Sequence, residues 1–501
     1  MKIFIVAFVL VLQGLFMTSC ASKKEENKAG EERPNIVFII ADDMAWDDSG
    51  AYGHPYIQTP NIDKLAAQGM RFDNAFLTTS SCSPSRTSII TGMYPHNTDA
   101  EQLHWPLPAD RITFVEHLKK SGYWTAQAGK WHMGEAVKDR FDLVKDVGTH
   151  GFQLSPTGKK TAQIGDGSGC ENWVPVMQER PENQPFFLWL AAVDPHRPYS
   201  EGIIENPHGL EDVVLPPYFP DTEEVRKDFA HYYNEITRLD NYVGKVVAEL
   251  DAQDISENTL ILFISDNGRP FPRDKTTLYD GAIKTPWIMK WPKKIKPGSV
   301  SESLVSSVDI APTFMQLAGL KSIPSFEGVD FSELLTDPEK NVRDEIYAED
   351  HWHDYEDYTR AIRTKTHKYI RNFYTDLPNT PSADAFVGGT FTSMLELKQK
   401  GELTAAQLAC FDAPRPEEEL YDVVNDPYEL KNLAGSTDAK ETLLHLRAEL
   451  KRMRAISNDS LPDFRTPDEF DRNTGKSNDF RKRPRPSKKE MEKIIREMNG
   501  K

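Results

Sequence analysis

Two short polar pairs supply the residues best suited to holding a hard metal ion. Asp42-Asp43 comes after the apolar run NIVFII, and Asp266-Asn267 comes after the run TLILFI. Carboxylate and amide oxygens are preferred ligands of Ca²⁺ and Mg²⁺, and no Cys/His set with zinc spacing accompanies them. One such pair could simply cap a helix or form a turn. Two pairs at equivalent strand ends predict a shared cation site.

Lysine and histidine residues near strand ends are candidates for moving protons. Lys130 and His132 alternate in GKWHMG, so both could project to one side of an extended segment. His196 lies between prolines in DPHRPY, and Lys275 follows the second acidic pair. Histidine is the natural proton shuttle near neutral pH. Taken alone, such a histidine is more often structural or surface-exposed, and Lys275 could be a solvated loop lysine.

The stretch TTSSCSPSRTSIITG places Cys82 at a predicted helix N-terminus, with Arg86 one turn into the helix. Pro84 suits the first helical turn. A helix N-terminus stabilises an anion and lowers the pKa of a thiol, so the residues by themselves predict a thiolate nucleophile. An exposed thiolate is easily destroyed in an oxidising compartment, and a disulfide, a buried thiol or a modified side chain are the alternatives.

A wound α/β sheet would bring these residues together. Runs typical of strands buried on both faces alternate with helical patterns. The strand-like runs are 35–40, 123–127, 186–193 and 259–264, and the helical ones are 62–68, 113–121 and 223–253. Ligands of open α/β sheets bind beyond the carboxyl ends of the strands. The polar clusters are therefore predicted to converge on one site.

The rest of the chain is predicted to be organised differently. We place the α/β domain at residues 34–340 and a smaller antiparallel-sheet subdomain with helices at 341–457, because short strand-like pieces such as EELYDVVND occur there. Residues 458–501 are polar and rich in Pro, Lys and Arg, and we interpret them as a basic tail with a short terminal helix.

Composition limits the function classes. The 501-residue chain has 60 Lys and Arg against 77 Asp and Glu, a net charge of −17. Nucleic acid as the main partner is not expected, because phosphate binding needs a basic surface. An anionic substrate remains compatible with this charge, since a small basic pocket can lie inside an acidic protein.

The first residues predict export and lipid anchoring. Lys2 and the apolar stretch 3–16 are typical of a signal peptide, and Cys20 resembles the lipidated (palmitate-bearing) cysteine of a bacterial lipobox. Residues 21–33 are charged and predict a flexible tether to the membrane, and Lys-Lys-Glu-Glu resembles a surface-export signal, which points to the outer membrane. Of the other cysteines, Cys170 and Cys410 could pair, although nothing in the sequence brings them together.

The motifs together resemble the sulfatase family. CSPSR followed by TSIITG is similar to the signature whose cysteine is oxidised to formylglycine (3-oxoalanine). The resemblance extends over nearly the whole globular chain, through motifs in a fixed order: Asp42-Asp43, CSPSR, GKWH, DPH, SDNG, and Lys275 with LYDG. It implies an alkaline-phosphatase-like α/β domain with a smaller C-terminal subdomain, and a formylglycine-generating or equivalent maturation enzyme as a partner.

The resemblance also implies a role for each site residue. One Ca²⁺ would be bound by Asp42, Asp43, Asp266, Asn267 and the modified residue 82. Residue 82 would be the nucleophile, Arg86 and Lys130 would stabilise developing charge, Lys275 and His196 would serve the leaving group and the sulfate oxygens, and His132 would be the base that releases sulfate. A geminal diol at residue 82 explains why the cysteine neither pairs nor remains a thiol.

Within the family, SSCSPSR and SDNG-x-PFP look most like the sulfamidase (heparan N-sulfatase) branch. The chain departs from that branch at Lys275, where the branch carries arginine, and at 280–282 (Asp-Gly-Ala). We therefore expect sulfate esters of a polysaccharide such as ulvan, carrageenan or a glycosaminoglycan, with N-sulfatase activity as the alternative. His104, His351 and His353 resemble residues that line the substrate pocket, with ordinary loop histidines as the alternative.

Two rival functions follow from the same residues. A phosphonate or phosphodiester hydrolase of the same superfamily shares the metal frame, but such phosphatases typically hold two metals, whereas Asn267 fits a single-Ca²⁺ pattern. A non-catalytic glycan-binding lipoprotein would not need the full set of reactive residues.

Overall fold

The computed structural model describes residues 33–148, 166–480 and 485–498, together with the backbone of 152–154 and 160–163. The predicted signal peptide, Cys20 and nearly all of the tether lie outside the described residues. Its strands, in chain order, are β1 (Asn35–Ala41), β2 (Met70–Phe72), β3 (Ala75–Phe76), β4 (Trp124–Gly129), β5 (Leu143–Asp146), β6 (Phe152–Leu154), β7 (Lys160–Gln163), β8 (Phe186–Ala191), β9 (Thr259–Ser265), β10 (Trp287–Lys290), β11 (Ser299–Ser301), β12 (Val305–Ser306), β13 (Ile346–Asp350), β14 (Thr359–Arg363), β15 (His367–Asn372) and β16 (Glu418–Asp422). Its α-helices are α1 (Pro60–Ala67), α2 (Cys82–Thr91), α3 (Pro95–Thr98), α4 (Phe114–Lys120), α5 (Trp173–Gln178), α6 (Glu223–Ala252), α7 (Asp280–Ile283), α8 (Ile310–Leu317), α9 (Gly389–Lys400), α10 (Ala405–Leu408), α11 (Lys440–Ile456) and α12 (Lys488–Met498).

The centre of the structure is an eight-stranded mixed sheet in the order β11-β2-β10-β9-β1-β8-β4-β5. The runs predicted to be buried strands are β1, β4, β8 and β9, and they are consecutive neighbours in this sheet. They pair in parallel, so their carboxyl ends share one edge. The predicted α/β fold class is confirmed.

Burial on both faces explains why these strands are continuously apolar. Alternate residues of a strand point to opposite faces of the sheet. In β1, Ile36, Phe38 and Ile40 pack in one core cluster. Val37 and Ile39 pack in a second cluster on the other face. A polar residue in the middle of β1 would therefore be buried on either face, and after Asn35 at its start the next polar side chains appear only beyond the strand.

The predicted helical patterns correspond to α1, α4 and α6. Thr113 and Thr222 start α4 and α6, and each hydroxyl accepts a hydrogen bond from a backbone N–H in the first turn. No helix among the described residues is long and apolar enough to cross a lipid bilayer.

A second, four-stranded antiparallel sheet follows in the chain, in the order β13-β14-β15-β16. One face of it packs on residues that follow β9, including Leu278 and Ile283. The opposite face packs on Leu443, Leu446 and Leu450 of α11. This arrangement brings the second sheet next to the segment that carries Lys275.

The basic C-terminal segment contributes buried side chains. Met491 and Ile495 of α12 lie in the main core cluster. Lys488 forms an ion pair with Glu101 at 2.6 Å. The main-chain carbonyl of Pro467 accepts a hydrogen bond from the indole of Trp352. The short terminal helix predicted from the sequence is present, and it packs on the body of the protein.

Candidate active site

The two acidic pairs meet at the shared edge of the central sheet. Ala41 of β1 is paired with Ser265 of β9, so the residues that follow each strand start side by side. Ligand atoms of Asp42, Asp43, Cys82 and Asp266 all lie within 4.8 Å of one another, and all four residues are buried. The predicted convergence of the strand ends is therefore what the structure contains.

Backbone conformation at this edge is unusual for residues with side chains. Asp43, His104, His132 and Thr276 all have positive φ, at 75°, 65°, 63° and 69°. A non-glycine residue in the left-handed region costs conformational energy, and such residues concentrate at functional sites. At Asp43 this turn allows two consecutive carboxylates to serve the same cluster.

The donor set fits a metal ion. The side-chain oxygen Oδ1 of Asn267 and Oδ1 of Asp42 are buried and have no hydrogen-bond partner. The Asn267 amide nitrogen donates to Asp43, which leaves the amide oxygen directed elsewhere. Burial raises the pKa of Asp42 well above its usual value despite the nearby Lys130, and the charge of Asp266 raises it further. A cation would remove that destabilisation, since oxygen-rich acidic sites suit hard divalent ions.

Arg86 and Lys130 neutralise the other side of the carboxylates. The Arg86 guanidinium lies 2.7 Å from Asp266, and its side chain is completely buried. The Lys130 ammonium lies 2.5 Å from Asp42. Gly129, just before Lys130, has a φ of 97°, and a Cβ there would lie 1.8 Å from the Ala191 carbonyl oxygen. Only glycine allows β4 to turn so close to β8, which explains this residue of the GKWH motif.

Cys82 is the first residue of α2, as predicted, and its side chain is 1% exposed. Its sulfur lies 3.7 Å from Asp43 Oδ1. Burial raises the pKa of the Cys82 thiol well above its usual value, although Lys130 and Lys275 oppose the shift. Burial therefore disfavours the thiolate predicted from the helix N-terminus, because the effect of desolvation on the thiol pKa exceeds that of the two lysines. Among the described residues, Cys82, Cys170 and Cys410 are all free, and the Cys170–Cys410 disulfide is not formed.

Lys275 and His196 flank the cluster on a second side. The Lys275 ammonium lies 2.8 Å from Asp43. His196 Nε2 lies 3.8 Å from the same carboxylate. Burial and the charge of Lys275 lower the pKa of His196 to about 4, so its ring is neutral near pH 7. The two X–Pro bonds around His196, Asp194–Pro195 and Arg197–Pro198, are both cis.

The remaining predicted histidines divide into two groups. His104 and His132 contact each other, with 2.6 Å between Nδ1 and Nε2. The His104 backbone N–H also donates to the hydroxyl of Ser83 in α2. His353 Nδ1 lies 2.8 Å from the Ser81 hydroxyl, directly before Cys82. These three histidines therefore surround the start of α2.

His351 lies apart from the start of α2. Its ring contacts Arg360 at 3.3 Å and Glu349 at 3.6 Å. It lines a cavity of about 270 Å³ together with Trp352 and Phe464. The two histidines, which stand two positions apart in EDHWHD, thus have different hydrogen-bond partners.

Comparison with known proteins decides the family. The Sulfatase family model matches residues 34–320, more than half of the chain. The chain belongs to the sulfatase family. A second model, for the C-terminal part of N-sulphoglucosamine sulphohydrolase, matches residues 271–381. As a member of this family, the protein is a sulfuric ester hydrolase.

Individual relatives agree with this assignment. An "ulvan-active sulfatase" of Formosa agariphila is 30% identical, over 90% of this chain and 82% of that protein. The human "N-sulphoglucosamine sulphohydrolase" is 28% identical, over 85% of this chain and 90% of that protein. A crystallised protein in complex with its substrate D-glucosamine-2-N,6-O-disulfate shares the fold, with a TM-score of 0.64, 21% identity, and coverage of 86% of this chain and 99% of that one.

Two residues of this sulfatase's site were missed by sequence reasoning. Ser81 precedes α2, but its hydroxyl bonds His353 and makes no hydrogen bond to the helix. Asp384 comes from beyond the second sheet's first three strands and lies 3.3 Å from Lys275. Nothing in the local pattern PSADAF marks Asp384, because its charged partners Lys275 and His196 are more than a hundred positions away.

Proposed function

We propose that this sulfatase removes sulfate esters from a sulfated polysaccharide or its oligosaccharides, using formylglycine at position 82 and one Ca²⁺. The observation that carries the proposal is the position of Cys82, which starts a helix beside buried carboxylates and within a shell of Arg86, Lys130 and Lys275. A buried thiol with a raised pKa is a poor nucleophile. Oxidation to an aldehyde by a maturation enzyme would replace it with a hydrated diol.

Asp42, Asp43, Asp266 and Asn267 would hold the Ca²⁺, together with residue 82. When bound, the ion supplies positive charge that favours an ionised hydroxyl and binds sulfate oxygens. The unpartnered Asn267 and Asp42 oxygens and the oxygen-only protein donor set support this assignment.

The chain's own residues would then divide the reaction into two steps. One hydroxyl of residue 82 attacks sulfur, the sulfur–oxygen bond to the sugar breaks, and the sugar oxygen takes a proton from the Lys275 ammonium. The neutral ring of His196 donates a hydrogen bond to the leaving oxygen or to a sulfate oxygen. Arg86 and Lys130 stabilise the negative charge that develops on the sulfuryl group. His132 then takes the proton of the second hydroxyl, which expels sulfate and restores the aldehyde.

The substrate class rests on the relatives. A polysaccharide-active enzyme and an amino-sugar N-sulfatase are similar to this chain at nearly the same identity. We propose O-sulfated glycans such as ulvan, carrageenan or a glycosaminoglycan. His353, and through the His132 contact His104, would line the pocket, and His351 would act farther from residue 82. The match to the N-sulphoglucosamine sulphohydrolase C-terminal model makes N-sulfate hydrolysis the second candidate.

Sulfate release from defined oligosaccharides tests this proposal. Purified protein, with residue 82 first characterised by peptide mass, is assayed on O-sulfated ulvan, carrageenan and glycosaminoglycan fragments and on glucosamine N-sulfate. Cys82→Ala and Cys82→Ser should release no sulfate, whereas Cys410→Ala, at another buried cysteine, should be as active as the unaltered protein. His132→Ala should accumulate a sulfated residue 82, visible as a mass increase after substrate exposure. Activity in Cys82→Ala would contradict the mechanism, and release from the N-sulfate alone would contradict the O-sulfate assignment.

We also propose that the protein is anchored to a bacterial membrane, in the outer membrane, through lipid on Cys20. The support is the signal-like sequence of residues 1–20 and the charged segment that follows. Expression in a bacterial host should place the full chain in the detergent phase on phase partition, and Cys20→Ala should move it to the aqueous phase. Equal partition of the two forms would contradict the anchor.

A further inference from the structure

Asp384 adds a negative charge beside the two residues assigned to the leaving group. Its Oδ2 lies 3.3 Å from the Lys275 ammonium and 3.6 Å from His196 Nε2. Its side chain is 21% exposed, against 1% for Lys275 and 7% for His196. Asp384 is therefore the most solvent-accessible of these three side chains.

The segment that carries Asp384 is held on both sides. The backbone N–H of Ala383 donates to Asp354 at 2.8 Å, and that of Thr390 donates to Asp228 at 2.9 Å. The Ser382 hydroxyl donates to the second carboxylate oxygen of Asp384. Packing and hydrogen bonds of this kind fix a side chain closely enough for recognition.

The charge of Asp384 is not needed to neutralise Lys275, because Asp43 already lies 2.8 Å from that ammonium. Burial alone would raise the pKa of Asp384, but Lys275 and His196 outweigh it and hold the pKa below its usual range. The group is thus an anion at a place that must accept an anionic substrate. An ionised carboxylate can only accept hydrogen bonds, so its natural partner is a neutral donor.

Resting on the proposed function, we propose that Asp384 determines which sugar leaves: its carboxylate accepts a hydrogen bond from a hydroxyl or N–H next to the sulfated atom, and it repels a second sulfate at that place. The negative charges of the Asp384 carboxylate and of a second sulfate beside it repel each other, and this repulsion disfavours binding strongly in a partly buried site. A missing hydrogen-bond donor would also leave the carboxylate unpaired against the substrate.

The test compares two substrates that differ by one sulfate. The mature full-length protein is assayed on a monosulfated sugar with a free neighbouring hydroxyl and on the same sugar with that hydroxyl sulfated. We expect kcat/KM to favour the monosulfated sugar at least about tenfold. Asp384→Asn should reduce this preference to about threefold or less, mainly by improving use of the disulfated sugar. Asp376→Asn, at an exposed ion pair with Arg465, should leave the preference unchanged.

A binding measurement separates this inference from the proposed function. In the Cys82→Ala protein, which has no nucleophile at position 82, the monosulfated sugar should have the lower dissociation constant. Adding Asp384→Asn should bring the dissociation constants of the two sugars close together. If the mature protein releases no sulfate while this preference in binding holds, the proposed function fails and the role of Asp384 stands. Two results would overturn the role of Asp384. One is that the protein with Asp384 has equal kcat/KM and equal dissociation constants for the two sugars. The other is that Asp384→Asn lowers kcat/KM equally for both sugars.

Discussion

The two sides of the active site are built in different ways. The carboxylate side consists of residues that directly follow neighbouring parallel strands, and Asp42, Asp43, Asp266 and Asn267 are all 0% exposed. The sugar side takes residues from distant segments: His104 and His132 lie in loops with positive φ, while His353 and Asp384 come from the region of the second sheet. Regular strands thus position the buried carboxylates, and segments outside the central sheet position His104, His132, His353 and Asp384.

Replacing one residue of the carboxylate side should abolish activity and lower stability. Asp266→Asn keeps the shape of the side chain but leaves buried Arg86 without its closest anion. We expect sulfate release to fall by at least about a thousandfold and the free energy of unfolding to fall by about 3 kcal/mol, because an unpaired buried charge is strongly unfavourable. Stabilisation by added Ca²⁺, measured as a rise in Tm, should also disappear.

The matched control for this change is Asp221→Asn. Asp221 also pairs with an arginine, Arg226, but its side chain is 64% exposed. We expect less than about 1 kcal/mol of destabilisation and full activity, since exposed ion pairs contribute little. Comparable losses in the two variants would show that burial at the sheet edge does not distinguish Asp266.

Raising the pH should break an ion pair that attaches the second sheet to helix α3. His96 Nδ1 lies 2.7 Å from Glu349 of β13. Burial opposes protonation of His96, but Glu349 outweighs it and raises the pKa of His96 to about 9. The stability from this ion pair is therefore complete below pH 6.5, the ordinary histidine value, and is lost as the pH rises to 9.

The loss should amount to about 3 kcal/mol of unfolding free energy, measured by urea denaturation between pH 6.5 and 9.5. His96→Gln should remove this part of the pH dependence and lower stability at pH 6.5. An identical decline with pH in the two proteins would exclude His96 as its source.

The smallest expected effect concerns Ser81, which joins the two sides. A serine that caps a helix usually contributes about 1 kcal/mol, but the Ser81 hydroxyl bonds His353 and not the helix. Ser81→Ala should therefore lower the unfolding free energy by less than about 0.5 kcal/mol and lower kcat/KM by roughly threefold to tenfold through a misplaced His353.

Thr113→Ala supplies the opposite control. The Thr113 hydroxyl accepts a hydrogen bond from the Glu116 backbone and caps α4, far from residue 82 in the chain. This variant should lose about 1 kcal/mol of stability and retain full activity. If Ser81→Ala behaved in the same way, the Ser81 side chain would act on the helix and not on His353.

The sequence by itself determined four adjacent strands of the central sheet (β9, β1, β8 and β4), the start of α2 and the residues at the sheet edge. This was possible because strands buried on both faces must be continuously apolar, so the polar residues that follow them stand out, and parallel pairing brings strand ends to one edge. The family-specific motifs lie in these same short segments, where few alternatives of geometry exist.

Only the tertiary structure decided the burial of the Cys82 thiol, the different partners of His351 and His353, and the presence of Asp384. The thiol pKa depends on how completely the site excludes water, which a helix N-terminus does not reveal. Asp384 meets Lys275 across 109 positions, and its approach depends on how the second sheet packs on the first. Such contacts arise from long-range packing and carry no local pattern, which is why the sequence did not reveal Asp384.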